Sequence, residues 1–314
     1  MGLELELKFL VSVMDAAAIP ALLSEIPAGN GITVQAQDSN ELLNAYFDTA
    51  DYWFRRHDMG LRTRQKSGGF EQTIKLAGQQ HGALQLRPEY NVPCNGVTPV
   101  LADFPAGIWP DNADILQLQQ QLTELFRTDF IRRKWLIRLA DNTQAELVYD
   151  NGLIVAGNRQ QAISELELEL ISGSAGALFQ FAKKLVQHLP LRTGWLSKAA
   201  RGYTLAGITA LRLPETLQGT VEMAGLVQAI QQTEACYWQK NDAAYLTQVA
   251  GLLQQLAEQV SRQTTLSPWQ PLIHQLAQQA ASAKQPFTAT NYNLLLLALA
   301  EHLIAAPSCH TINR

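Results

Sequence analysis

The first strand of this chain can be read from its alternation of apolar and charged residues. Odd positions between residues 3 and 11 are apolar, whereas Glu4, Glu6 and Lys8 occupy even positions. A period of two residues indicates a β-strand with one buried face. Similar patterns predict seven further strands, at residues 42–48, 60–66, 70–76, 83–91, 128–139, 143–150 and 161–171.

The predicted strands follow one another mostly as hairpins. Short turn sequences, such as Ser67-Gly68-Gly69 and Asp141-Asn142, connect them. Eight strands in this order can close into a barrel whose interior holds side chains or one small ligand. Helical patterns fall between and after the strands, at residues 15–25, 51–57, 114–125, 175–188 and 197–205.

The sequence changes character from about residue 214. Fifteen glutamines fall between Gln218 and Gln285, and Leu and Ala recur every three or four residues with no strand pattern. We therefore predict a barrel domain at residues 1–207, a linker at about 208–218 and a helical domain at 218–314. The predicted fold class is α+β, with an eight-stranded antiparallel β-barrel, flanking helices and a small all-α C-terminal domain.

Composition excludes several classes of protein. The net charge is −4, so no global basic field favours nucleic acid or a membrane surface. Cys94, Cys236 and Cys309 lie far apart, which predicts free thiols in a reducing compartment. The acidic N-terminus is unlike a signal peptide, and the longest apolar run, 294–300, is much shorter than a span of about 20 residues. We expect a cytoplasmic protein.

The charged faces of the strands are segregated by sign. One such strand alone would be read as a surface facing water, but here the first and last strands are acidic and the middle strands basic. Three glutamates at alternate positions, Glu165, Glu167 and Glu169, repel one another unless cations neutralise them. Clustered carboxylates suit a divalent cation, and Arg and Lys suit phosphate oxygens. The pattern predicts an interior that binds a metal and a polyanion such as triphosphate.

Ordered motifs over residues 1–206 resemble the CYTH superfamily, the triphosphate tunnel metalloenzymes. Glu4-Leu5-Glu6-Leu7-Lys8 matches the ExExK signature of that family. The last strand, Glu165 to Leu170, and Ser197-Lys198-Ala199-Ala200-Arg201-Gly202-Tyr203 look most like its bacterial inorganic triphosphatase branch. Further matches follow in order: Tyr46-Phe47-Asp48-Thr49, Gly60-Leu61-Arg62-Thr63-Arg64, Gln72-Thr73-Ile74-Lys75, Leu86-Arg87-Pro88-Glu89-Tyr90-Asn91, Asp129-Phe130-Ile131-Arg132-Arg133-Lys134-Trp135 and Tyr149-Asp150-Asn151-Gly152.

The resemblance implies metal-dependent hydrolysis of inorganic triphosphate to phosphate and diphosphate inside a charged tunnel. The implied ligands of Mg²⁺ or Mn²⁺ are Glu4, Glu6, Asp150, Glu165, Glu167 and Glu169, although the spacing leaves open which of the last three bind metal. The implied substrate-binding residues are Lys8, Arg62, Arg64, Lys75, Arg87, Arg132 and Lys198. The residues expected to act in catalysis are Glu4, Glu6, Lys8, Lys75 and Arg87.

Several alternatives remain open at the level of sequence. The same residue set would serve a class IV adenylate cyclase, a thiamine triphosphatase or a nucleoside triphosphatase. A tunnel that binds polyphosphate without turnover is a further alternative. The GxSxG, P-loop and HExxH motifs of other hydrolases are absent from the sequence.

The C-terminal region departs from the pattern of the family. Members of the family often carry a CHAD domain, a helical module with basic His-containing motifs. In this chain, residues 215–314 hold only four Lys and Arg residues and no HxxR run. We read this region as a shortened or degenerate relative of CHAD. Its helices would pack on the barrel or on another subunit, as in a homodimer.

Overall fold

The computed structural model describes residues 2–12, 21, 32–214 and 221–305. The described strands are β1 Gly2–Leu10, β2 Thr33–Asp48, β3 Gly60–Lys66, β4 Gly69–Lys75, β5 Gln79–His81, β6 Leu84–Cys94, β7 Thr123–Arg138, β8 Gln144–Ala156, β9 Arg159–Ser172 and β10 Arg192–Thr193. The described α-helices are α1 Trp53–Arg56, α2 Ile115–Gln121, α3 Ala175–His188, α4 Lys198–Leu205, α5 Met223–Lys240, α6 Ala244–Val260, α7 Gln270–Ala281 and α8 Thr290–Ala305.

Eight strands form a closed antiparallel barrel, as the sequence predicts. Their order around the barrel is β1-β9-β8-β7-β2-β3-β4-β6, and β6 pairs with β1 to complete the circle. The two short strands, β5 and β10, pair with β6 and β1. Full closure leaves the eight main strands without an unpaired edge.

The charged faces of the barrel strands point inward, and many of their apolar faces point outward beneath helices. On β1, Leu7 and Phe9 are fully buried and share a cluster with Leu178 and Phe179 of α3. Since successive side chains of a strand alternate between its faces, the residues between them point to the interior. The hydrophobic packing that stabilises this side of the barrel therefore lies outside it, and the interior is left for ionic residues.

Three strands extend by five residues or more beyond their predicted limits, and one of them is β8, which ends at Ala156 rather than residue 150. β2 begins at Thr33 rather than residue 42, and β7 begins at Thr123 rather than residue 128. Strands β2 and β7 pair with each other along their whole length, with irregular register near Val34 and Tyr46. The first half of β2 is largely exposed, so its sequence lacks the apolar alternation that marks a strand. Helix α2 correspondingly ends at Gln121 rather than residue 125.

The C-terminal region is helical where it is described, as predicted. Helices α5 to α8 have their own apolar core, and Leu297 and Ala300 of α8 also join the cluster outside the barrel. Lys183 of α3 pairs with Glu301 at 2.5 Å. The backbone N–H of Thr193 donates to the side chain of Asn293 at 2.7 Å. These contacts seat the helical region against the barrel.

Some sequence predictions fall wholly or partly outside the described residues. The helix at 15–25 and residues 215–218 of the predicted linker belong to this group, as does Cys309. Cys94 and Cys236 are free thiols. None of the helices in the described ranges is both long and apolar enough to cross a membrane.

Candidate active site in the barrel interior

The barrel interior contains a cavity of about 560 Å³, here called the tunnel cavity. Every predicted site residue lies on its wall except Asp150 and Glu165, which lie behind the wall and are fully buried. The lining residues predicted from the sequence are Glu4, Glu6, Lys8, Arg62, Arg64, Lys75, Arg87, Arg132, Glu167, Glu169 and Lys198.

Asp150 on β8 lies at the centre of a buried ionic cluster. The guanidinium of Arg132 donates to both of its carboxylate oxygens, at 2.7 and 2.6 Å, and the Lys198 ammonium lies 2.8 Å away. Burial acts to raise the pKa of Asp150, but these two cations outweigh it and hold that pKa below its ordinary value. The carboxylate is therefore engaged by cations of the protein itself.

Glu165 and Glu167 on β9 belong to the same buried cluster. The Lys198 ammonium lies 2.8 Å from each carboxylate, and the Lys8 ammonium lies 3.2 Å from that of Glu167. Arg201 also pairs with Glu165. Burial disfavours the charged form of both lysines, yet the surrounding carboxylates raise the pKa of Lys8 and of Lys198 above the ordinary value. These ion pairs hold Lys8, Glu167 and Lys198 in place on the cavity wall.

A row of three glutamates crosses adjacent strands of the barrel. Glu6 on β1 is opposite Glu169 on β9, and Glu169 is opposite Glu146 on β8. Directly opposed residues of an antiparallel sheet project from the same face, and like charges there repel. The tunnel cavity is lined by all three, together with Glu4.

Glu169 is the least compensated member of this acidic row. Within the described residues it has no ion pair, whereas Glu146 pairs with Lys134 and Glu4 pairs with Lys75. Burial, reinforced by the charges of Glu4, Glu146 and Glu6, raises the pKa of Glu169 to about 7. A cation that enters the cavity would offset this repulsion and stabilise the charged form of Glu169.

The donor chemistry of the acidic row fits a hard divalent cation. Mg²⁺ and Mn²⁺ prefer carboxylate oxygens, and Glu6 has a buried carboxylate oxygen without a hydrogen-bond partner. Over the described ranges, no three acidic, His or Cys side chains converge closely enough to form a complete metal site. The protein therefore supplies the ligand type and the charge, and a phosphate or water would have to provide the remaining ligands.

The side of the cavity formed by β3, β4 and β6 is cationic, and it adjoins the acidic residues where Arg87 on β6 is opposite Glu4 on β1. Lys75 contacts Glu4 at 2.5 Å and Glu89 at 2.8 Å, and Arg62 lies 3.6 Å from Glu89. Burial acts to raise the pKa of Glu89, but Lys75 and Arg62 lower it well below its ordinary value. These pairs neutralise part of the positive charge.

Two arginines on this side have no carboxylate partner in the described part of the chain. Arg64 donates to the side-chain oxygen of Asn44 at 2.7 Å, and Arg87 donates to the backbone oxygen of Leu76 at 3.0 Å. Burial and the neighbouring Arg62 and Arg132 lower the pKa of Arg64 to about 9, so the group is still charged at neutral pH. Both guanidinium groups are available to an anion.

Several residues of the cavity wall had no role predicted from the sequence. Tyr46, Gln85, Asn91 and Phe130 line the cavity with Lys134 and Glu146. Lys134 and Glu146 lie in the predicted ionic faces, so their alternation contained the signal. The uncharged members are positioned by cross-strand neighbours, such as Gln85 opposite Glu6 and Tyr46 opposite Arg62, and alternation does not give that register.

The fold and the cavity define a closed antiparallel barrel with an ionic interior. The chain belongs to the CYTH domain family, whose model matches residues 2–203. Over 204 residues it is 34% identical to an inorganic triphosphatase of Haemophilus influenzae (strain Rd). That alignment covers 64% of this chain and 54% of the relative, so the chain matches about half of the relative's length.

Solved structures of low sequence identity also resemble the barrel. One, from Hippeastrum, is described as an adenylyl cyclase candidate with a dominant triphosphatase activity. It is 14% identical, with a TM-score of 0.45 over 64% of this chain and 95% of that chain. A second, described as an inorganic triphosphatase, is 19% identical, with a TM-score of 0.25 over 58% of this chain and 81% of that chain.

The raised pKa of Glu169 predicts a change of stability with pH. The pKa of Glu169 is about 7 in the folded protein and exceeds the ordinary value of 4.5. Its contribution to folding stability is therefore greatest below pH 4.5 and is lost as pH rises through 7. Glu169→Gln removes this titration. We compare the free energies of unfolding of Glu169→Gln and the wild type in urea without metal. The difference in favour of the variant should increase by about 1–3 kcal/mol from pH 5 to pH 8.

The exposed Glu41 of β2 provides the matched control for this measurement. Glu41→Gln should differ from the wild type by the same small amount at pH 5 and at pH 8, because this side chain is exposed to solvent. An equal difference at both pH values for Glu169→Gln would contradict the assigned titration.

Proposed function

We propose that this chain hydrolyses inorganic triphosphate to phosphate and diphosphate in the tunnel cavity, with Mg²⁺ or Mn²⁺ as cofactor. The observation that carries the proposal is the segregation of charge within one cavity. Uncompensated Glu169 lies in the acidic row, and uncompensated Arg64 and Arg87 lie on the cationic side. A polyanion with a bound metal would neutralise both sides at once.

The cationic residues would hold and orient the phosphate chain. Arg64 and Arg87 offer guanidinium forks that match phosphate oxygens in a bidentate manner. Arg62 and Lys75 are paired with Glu89, and a phosphate oxygen could compete for them. Lys8, Arg132 and Lys198 are paired with the carboxylates of the buried cluster and would offer further contacts to phosphate oxygens. As water attacks the terminal phosphorus in line, the bond to the diphosphate breaks, and these cations stabilise the charge on both fragments.

We propose that the protein ligands of the divalent cation come from Glu4, Glu6 and Glu169, with Glu146 and Glu167 nearby, and that phosphate or water oxygens would supply the other ligands. A bound cation supplies Lewis-acid stabilisation of phosphate oxygens and activation of water. Asp150 and Glu165 stay candidate metal ligands on the basis of the family resemblance. Their carboxylates contact Arg132 and Lys198 instead, so we propose that they position those cations.

The aromatic residues of the cavity favour inorganic triphosphate over a nucleotide. Tyr46 is stacked on Phe126 with ring centroids 4.6 Å apart. The ring of Phe130 is covered by Arg132 and Lys198, at 5.7 and 5.3 Å. A purine needs a free apolar face to stack on. Tyr46 and Phe130 are only 6% and 4% exposed, so neither lining ring presents such a face, and this cavity favours substrates without a base.

Phosphate release from a panel of substrates tests this proposal. The panel contains tripolyphosphate, ATP, thiamine triphosphate and longer polyphosphate, each with Mg²⁺, Mn²⁺ or EDTA. We expect the fastest release from tripolyphosphate and none in EDTA. Cyclic AMP and diphosphate from ATP would instead indicate a cyclase. A metal-independent rate, or no release from any triphosphate, would overturn the proposal.

We also propose that residues 1–207 and 218–314 are separate domains. Their larger apolar clusters are distinct, and α8 joins them through Leu297 and Ala300. Cytoplasmic location and a homodimer formed by the helical region remain part of the proposal. Gel filtration with light scattering of the full chain measures the second of these.

A further inference from the structure

A second cavity, of about 670 Å³, lies between the barrel and the helical region. Its walls come from the end of β1, the first residues of β9, β10, α4 and α5. It shares no lining residue with the tunnel cavity. We call it the junction cavity, and its volume is within the range of about 300–1,000 Å³ that is typical of small-molecule sites.

Two buried polar side chains on its wall have no hydrogen-bond partner in the described part of the chain. Gln231 of α5 is 1% exposed, and neither its amide nitrogen nor its amide oxygen is bonded. The hydroxyl of Thr193 on β10 is likewise unbonded, and this residue is 3% exposed. Buried polar groups are almost always satisfied in native proteins. An unpaired donor and acceptor on one amide is complementary to a ligand that presents both.

The junction cavity is also positively charged. Among the described residues that line it are Arg159, Arg192 and Arg201, against one carboxylate, that of Glu234. Arg192 lies 3.4 Å from Glu234, and Arg201 pairs with Glu165. Arg159 makes no ion pair within the described ranges. Its guanidinium group is therefore available for one anionic group, such as a monophosphate.

Aromatic rings complete the wall. Trp195 and Trp238 both line the cavity, and Trp238 is 41% exposed. One face of Trp238 carries the guanidinium of Arg192, 4.3 Å from the ring centroid. An exposed indole beside a cation suits stacking of a planar heterocycle.

We propose that the junction cavity binds a nucleoside monophosphate. The heterocycle would stack beside the tryptophans, with its edge reaching the amide of Gln231, and the phosphate would pair with Arg159. A single free arginine matches one phosphate group, in contrast to the many cations of the tunnel cavity. This site is independent of the proposed triphosphatase activity.

Equilibrium dialysis of radiolabelled AMP against the full chain tests the site. We expect one saturable site, weakened about tenfold or more by Arg159→Ala and by Gln231→Met. Lys75→Ala, in the tunnel cavity, should leave it unchanged. Adenosine and inorganic phosphate, each measured by competition, should bind more weakly than AMP. No saturable binding, displacement of AMP by tripolyphosphate, or unchanged binding in both junction variants would overturn the proposal.

The thermal stability of Gln231→Met separates a binding role from a structural one. Methionine has a similar volume, and it removes an amide that has no partner in the free protein. The variant should therefore melt at or above the temperature of the wild type while it loses AMP. A lowered melting temperature would show that Gln231 serves the packing of α5, and it would overturn its assignment as a ligand contact.

Discussion

Replacing both Glu4 and Glu6 by glutamine is expected to lower metal-dependent hydrolysis of tripolyphosphate by about a thousandfold or more. The double variant keeps the shape of the side chains but removes two negative charges from the tunnel cavity, that of Glu6 in the acidic row and that of Glu4 beside it. A thousandfold corresponds to about 4 kcal/mol of lost transition-state stabilisation. The measurement is phosphate release at saturating tripolyphosphate, over a range of Mg²⁺ and Mn²⁺ concentrations.

The same variant separates an enzyme from a protein that only binds polyphosphate. With two fewer negative charges in the cavity, affinity for metal-free tripolyphosphate should stay the same or increase. Glu41→Gln, on the exposed part of β2, is the matched control and should retain full activity. A double variant that hydrolyses tripolyphosphate within about threefold of the wild type would exclude the acidic row from catalysis.

The sequence was sufficient for the strands of the barrel and for most of its cavity wall. The alternation of Glu4, Glu6 and Lys8 with buried Leu7 and Phe9 predicts which face is ionic, and the closed barrel confirms it. The first half of β2 was missed because exposed residues from Thr33 onward carry no such alternation. Pairing with β7 forms that half of the strand, and such pairing is a tertiary effect.

Register is the part of the site that the sequence could not provide. Alternation shows that Glu6, Glu146 and Glu169 face inward, but not that they lie in one transverse row. It also does not show that Asp150 and Glu165 lie behind the wall, in contact with Lys198. A run of three glutamates looks uniform in sequence. In the barrel, Glu165 is buried in ion pairs and Glu169 is left without one.

Lys198→Met is expected to lower the free energy of unfolding by about 3–5 kcal/mol at neutral pH. The Lys198 ammonium lies 2.8 Å from each of three buried carboxylates, those of Asp150, Glu165 and Glu167. Removing it leaves these buried charges under-compensated, although Arg132, Lys8 and Arg201 remain. Urea denaturation should show a lower midpoint with an unchanged slope. Lys66→Met, at an exposed position of β3, should change stability by less than about 0.5 kcal/mol.

The effect of Lys198→Met should shrink as pH falls. Burial acts to raise the pKa of Asp150 and of Glu167, but Lys198 and Arg132 outweigh it and lower both. Stability from depressed carboxyl pKa values is present above the unfolded values, near pH 4, and is lost as pH falls. Wild type and variant should therefore converge on acidification, and Glu165→Gln should restore part of the loss in the variant at neutral pH. A loss independent of pH and of Glu165 would mean that Lys198 stabilises the barrel through the packing of its side-chain stem rather than its charge.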